Sequence, residues 1–158
     1  GVHVRGRMEQ FWGRKQERRL MGQKYKGSAL VGGSGEGAAL VTAGGIAFNL
    51  GVDEVTGIVI ETGHPLEGEC VAGRVVVCRS GKGSTAGSFS LLQLAHRGLA
   101  PAAIVNAQAD AVITAGCVLA DIPLVHRLDT DISAIAPETA LRVDGTAGTV
   151  EVTGEATA

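Results

Sequence analysis

Aromatic residues make up 3% of the 158-residue chain, although 45% of it is hydrophobic. Its core must therefore be assembled from Val, Ile, Leu and Ala with few rings, a composition that suits strands backed by helices. Cys70, Cys78 and Cys117 are odd in number, lie eight and 39 residues apart, and form no CxxC pair. They make no zinc or iron–sulfur site by themselves and are expected to be reduced, buried small residues. No run of 18 apolar residues occurs and no stretch has the length of a signal-peptide core. A cytoplasmic protein without membrane contact is the expectation. Basic residues are scarce after residue 27, with 6 against 14 acidic ones, because eight of the 14 (Arg5, Arg7, Arg14, Lys15, Arg18, Arg19, Lys24, Lys26) precede it. No aromatic-rich basic face follows that tail, so nucleic acid is not expected as a partner and the tail reads as a solvated arm.

What the chain has in excess is glycine, with 24 residues, roughly twice ordinary usage. There is no Gly-X-Y period, so the glycines mark tight turns. The length fits one domain. Ala38–Thr42 and Gly57–Glu61 have strand composition between turn signals, and Asp53 and Gly57 suit a turn. From Arg74 the rhythm changes. "RVVVC" predicts a buried strand, and Ser84 to Arg97 a helix with Phe89, Leu92 and Ala95 on one face and Gly98 at its C-terminal stop. "AAIVNA", a helix over Asp110 to Cys117, and "IPLVH" complete β-α-β-α-β, whose short connections imply parallel strands and right-handed crossovers. "ALRVDGTAGTVEV" reads as two strands around a turn. The fold expected is α/β, a parallel sheet with crossover helices meeting a mainly antiparallel layer.

The loop "RSGKGSTAGS" joins a predicted strand to a predicted helix, where peptide N–H groups and the helix dipole favour an anion and Lys82 adds charge. A Walker A loop requires a glycine separated by four residues from its Gly-Lys pair; Val76 stands there, and Gly83 follows Lys82 where Ser or Thr is needed. Gly81, Gly83 and Gly87 are spaced GxGxxxG, one residue too long for a dinucleotide fingerprint. "GSTAG" is not the GxSxG of an esterase elbow. What remains is a serine at a helix mouth in a positive, glycine-lined loop. Ser84 is placed to cap the helix, with Ser88 and Thr85 as further hydroxyl candidates; a chemical role requires local positive charge that favours the alkoxide.

"GVDEVTG", "HPLEGECVAG", "GKGSTAGS", "GLAPAAIV" and "IPLVHRLD", in that order, resemble the small subunit or swivel domain of aconitase X, a branch of the aconitase superfamily. The resemblance covers roughly Lys24 to Gly154. It sets residues 1–23 apart as a basic N-terminal extension, 24–154 as the swivel domain and 155–158 as a tail. It implies a swivelling β/β/α domain and a hydro-lyase (dehydratase) that acts on a small hydroxy acid. It implies a heterodimer in which a large subunit, or a fused domain, carries an iron or iron–sulfur centre, with none bound by this chain alone. By the same resemblance Ser84 takes the proton and the metal side of the cleft assists departure of hydroxide. Lys82 and the peptides of Gly83 to Thr85 would hold a substrate carboxylate or phosphate. Relatives of this kind dehydrate cis-3-hydroxy-L-proline in bacteria or 5-phosphomevalonate in archaea, and the Ala- and Gly-rich composition tips the expectation toward hydroxyproline.

The family usually carries a pair of glycines directly before the Val-Asp of the first motif, whereas here Asn49-Leu50 precedes Gly51, a departure that bears on a loop facing substrate. Cys117 replaces a more usual alanine. Arg79 enters the loop and is a candidate for an anionic substrate, as are Ser88 and Asp53. His64 in His64-Pro65 reads as structural, Asp110 as an N-cap, and His96 and His126 as surface or cleft-edge residues. A non-catalytic anion- or nucleotide-binding module is the alternative. A phosphohistidine carrier ranks last, because no histidine reads as the carrier residue; His64 precedes Pro65 in a turn and reads as structural.

Overall fold

The computed structural model describes residues 21–154. The tail 155–158 and residues 1–20 of the expected extension lie outside the described residues. Gly22 and Gln23, at the end of that extension, are already bonded to the peptide of Val152.

Ten elements follow: β1 Lys24–Lys26, β2 Ser28–Val31, β3 Ser34–Val41, β4 Val75–Cys78, α1 Ala86–His96, β5 Ala103–Asn106, α2 Ala111–Ala120, β6 Leu124–His126, β7 Ala140–Asp144 and β8 Thr149–Gly154. The strands form one eight-stranded sheet in the order β1-β8-β7-β3-β4-β5-β6-β2. β3, β4, β5 and β6 run parallel, and β2 closes that edge antiparallel to β6. β3 serves both halves, because Ser34 to Ala38 pair antiparallel with β7 and Ala39 to Val41 pair parallel with β4.

This sharing turns one sheet into two layers. β4, β5 and β6 are buried on both faces, and their sequences are apolar apart from Asn106 and His126 at the strand ends. With side chains alternating, Val76, Cys78, Ile104 and Leu124 pack with Leu91, Leu94, Ile113 and Cys117 of the helices. Val75, Val77, Ala103, Val105 and Val125 pack with Leu141, Val143, Val150 and Val152 of β7 and β8. The result is the expected β/β/α arrangement.

Two local expectations are corrected. Gly57–Glu61 is not a strand; Val52–Val59 and Ile58–Cys70 form isolated bridges only. Turn chemistry prevails there, with Gly57 at φ +75° and its N–H donating to Asp53 O at 2.7 Å. In α1 the face of Phe89, Leu92 and Ala95 is not the buried one. Phe89 is 64% exposed, whereas Gly87, Ser88, Ser90, Leu91 and Leu94 are inside. Small residues face inward because α2 passes close. A β-carbon on Gly116 of α2 would lie 2.6 Å from Leu91 Cδ1 and 3.0 Å from Ser88 Cα.

Candidate active site

The loop between β4 and α1 is held by the turn preceding Asn49. Lys82 N–H donates to Ile46 O at 3.1 Å and Ile46 N–H to Ser80 O at 3.2 Å, so two segments far apart in sequence are laced edge to edge. Gly83 then adopts φ +99°, where an L side chain would be strained, and a β-carbon there would meet Asn49 Oδ1 at 3.0 Å. That kink delivers Ser84 to the mouth of α1.

Ser84 is exposed. Its Oγ accepts from Asn49 Nδ2 at 3.0 Å and from the Ala86 peptide N–H at 3.3 Å. The capping expected of Ser84 is thus made from one position early, because Thr85 is the residue that starts the helix and it caps with no side-chain bond. Two donors converge on an oxygen at the positive end of a helix, which lowers the cost of removing its proton. The peptide N–H groups of Gly83, Ser84 and Thr85 donate to no acceptor among the described residues. Three open donors in succession at a helix mouth are available to an anion.

Beside Ser84's loop lies a cleft of about 370 Å³ lined by Ile46, Phe48, Gly81, Lys82, Gly83 and the start of α2. Asp110 caps α2, its Oδ1 accepting from Ile113 N–H at 2.8 Å as expected. A β-carbon on Gly81 would meet Asp110 Oδ2 at 2.8 Å, so the carboxylate packs against the loop.

The other site expectations divide. Lys82, Gly83, Ser84 and Thr85 are together. The Lys82 ammonium, however, is paired with the Glu61 carboxylate at 2.9 and 3.0 Å to its two oxygens, so an anion meets an ion pair instead of a free cation. Ser88 is buried and its Oγ donates to Thr85 O at 2.9 Å within the helix. Asp53 Oδ1 accepts from Val55 and Thr56 N–H at 2.7 and 3.2 Å and closes a turn. Arg79 lines a different cavity, of about 480 Å³, with Thr42, Asp131 and Ser133. His64 has both ring nitrogens engaged, by Gly45 O at 3.0 Å and by Leu66 N–H at 3.0 Å, which makes it structural. His96 is exposed, but His126 is buried and accepts from Ala109 N–H, and burial, with Arg127 nearby, holds its pKa below the usual value.

Sequence reasoning missed Asn49 and Glu61 as site residues, because each reaches the loop only through tertiary folding. Asn49 stood out as an unusual residue in its motif, without a sign of what it touches.

Among the described residues, the donors present do not fit an iron or iron–sulfur centre. Burial pushes the thiols of Cys78 and Cys117 up to about 12, which keeps them protonated. Cys70 donates to Thr56 O at 3.5 Å, and among the described residues no three His, Cys, Asp or Glu side chains gather.

The family model for the aconitase X swivel domain matches residues 24–152. The chain belongs to the aconitase X swivel-domain family. It is 43% identical over 130 residues to the phosphomevalonate dehydratase small subunit of Methanocella arvoryzae, covering 82% of this chain and 98% of that one. It is 36% identical to the phosphomevalonate dehydratase small subunit of Thermococcus kodakarensis, covering 82% and 96%. A crystal structure of aconitase X from Thermococcus kodakaraensis in its holo-form superposes with a TM-score of 0.79 at 37% identity, over 83% of this chain and 98% of that chain. No helix of the described residues is long and apolar enough to cross a membrane.

Proposed function

We propose that this swivel domain is the small subunit of a 5-phosphomevalonate dehydratase, inactive without a large subunit, and that Ser84 is its proton-abstracting base. The observation that carries the reading is the Ser84 oxygen at the mouth of α1, with two donors on it and three open peptide N–H groups beside it.

Dehydration removes a proton from the carbon beside the substrate carboxylate. The C–H electron pair becomes the new double bond, the C–O bond to the neighbouring hydroxyl breaks, and hydroxide leaves to become water. The proton goes to Ser84 Oγ, whose alkoxide is favoured by Asn49, the Ala86 amide and the helix dipole. The peptides of Gly83 to Thr85 hold a carboxylate or phosphate oxygen, while the Lys82–Glu61 pair moderates the charge at the rim. The iron or iron–sulfur centre belongs to the large subunit in this reading, as does the handling of the departing hydroxide.

Substrate choice is supported by the archaeal relatives, which carry phosphomevalonate in their names. They favour 5-phosphomevalonate over the cis-3-hydroxy-L-proline expected from composition. Co-expression with an aconitase X large subunit, followed by assays on both compounds, tests the choice. Turnover of 5-phosphomevalonate with hydroxyproline inert is the expected result. The reverse preference would restore the hydroxyproline reading.

A further inference from the structure

We propose that Asn49 is a positioning residue for the reaction, holding Ser84 Oγ by donation from Nδ2 and favouring its deprotonated form. The inference deepens the reading of Ser84 as base and rests on it.

Asn49 precedes exposed Leu50 and directly follows Phe48, which with Ile46 walls the cleft. Thirty-five residues separate it from Ser84, yet their side chains meet at 3.0 Å. The other end of the amide is more telling. Asn49 Oδ1 is buried and has no hydrogen-bond partner. It lies where a β-carbon on Gly83 would come within 3.0 Å. Selection for packing alone would replace such a residue by an apolar one of similar size, which strands no oxygen. An amide with its oxygen stranded and its nitrogen on the candidate base is explained by what the nitrogen does there.

The electrostatics follow from Ser84's other partner. The Ala86 N–H already donates to Oγ, so Asn49 brings a second donor and leaves the hydroxyl hydrogen free to point away from both. Two donors fix the oxygen's lone pairs, orient the O–H bond outward and lower the cost of removing its proton. Turning the amide over would set Oδ1 against Oγ, make Ser84 the donor and oppose ionisation.

The test uses the assembled two-subunit enzyme with Asn49→Leu, which keeps the volume without a donor, Asn49→Asp, which keeps the shape but offers only acceptors, and Ser84→Ala. The account expects kcat to fall about tenfold or more in both Asn49 variants, since removing one oxyanion donor costs at least that, with KM within about threefold. Asp should be worse than Leu, and the acid limb of the pH profile should move to higher pH in both. Thermal unfolding and subunit co-elution report folding; if Asn49→Asp does not assemble, Asn49→Leu decides alone. Near wild-type kcat and pH profile in Asn49→Leu, with Ser84→Ala inactive, would overturn the proposal and leave Ser84 as base. Activity retained by Ser84→Ala would remove the reading itself.

Discussion

Ser84 Oγ receives hydrogen bonds from a side chain and a peptide, and this pairing separates it from the other hydroxyls of its loop. Ser88 spends its proton on Thr85 O inside the helix. Thr85 makes no side-chain cap bond. The cysteines divide in the same way by environment. Cys78 and Cys117 are fully enclosed, with burial the largest cause of thiol pKa values near 12, whereas Cys70 is partly exposed. Thiolate is the reactive form, so the folded chain treated with iodoacetamide at pH 8 should gain one adduct, on Cys70, and three after denaturation. Mass spectrometry counts them. Rapid native labelling of Cys78 or Cys117 would contradict the burial assigned here. Ser84, Lys82, Gly83 and Thr85 were legible as a group because they are contiguous and their glycine spacing failed every nucleotide pattern. Asn49 and Glu61 were not, because a contact across 35 or 21 residues leaves no local periodicity to detect.

At the scale of elements, β4, β5 and β6 were read from their apolar runs and bounding turns, and Asp110 was read as the cap of α2. Such signals are local and survive folding. The inward face of α1 was misread because small residues line it, and their placement is dictated by the neighbouring helix instead of their own hydrophobicity. Gly87 and Gly116 allow α1 and α2 to approach closely, and α1 thereby holds its N-terminus where Ser84 needs it. Gly116→Ala should therefore destabilise the fold by about 1–2 kcal/mol, the overpacking cost exceeding the gain in helix propensity of ~1 kcal/mol. Urea unfolding measures it. Stabilisation by the substitution would show that the helices yield without strain. Gly57–Glu61 had strand composition but remained a bridged turn, since Asp53 and the positive-φ Gly57 fix a hairpin-like corner with too few residues for a ladder.

For the whole molecule, a three-layer domain presents one corner at which the β4–α1 loop, the Asn49 segment and the start of α2 converge. Two of these lie at the carboxyl ends of parallel strands or the amino ends of helices, the places where open α/β sheets hold ligands. Ser84 is exposed at this corner, and in the proposed reading a large subunit supplies the wall that excludes water. The family is legible in five ordered motifs, yet the composition suggests a different substrate from the one its relatives' names carry. Composition averages over the whole chain and carries no information on which side chains line the pocket. The most direct measurement is single-turnover dehydration of 5-phosphomevalonate by the assembled complex carrying Ser84→Ala, with assembly verified by co-elution. The account expects product formation to slow by about 10²–10⁴-fold, the range for loss of a general base, with substrate binding retained. Product formed at the wild-type rate would contradict it.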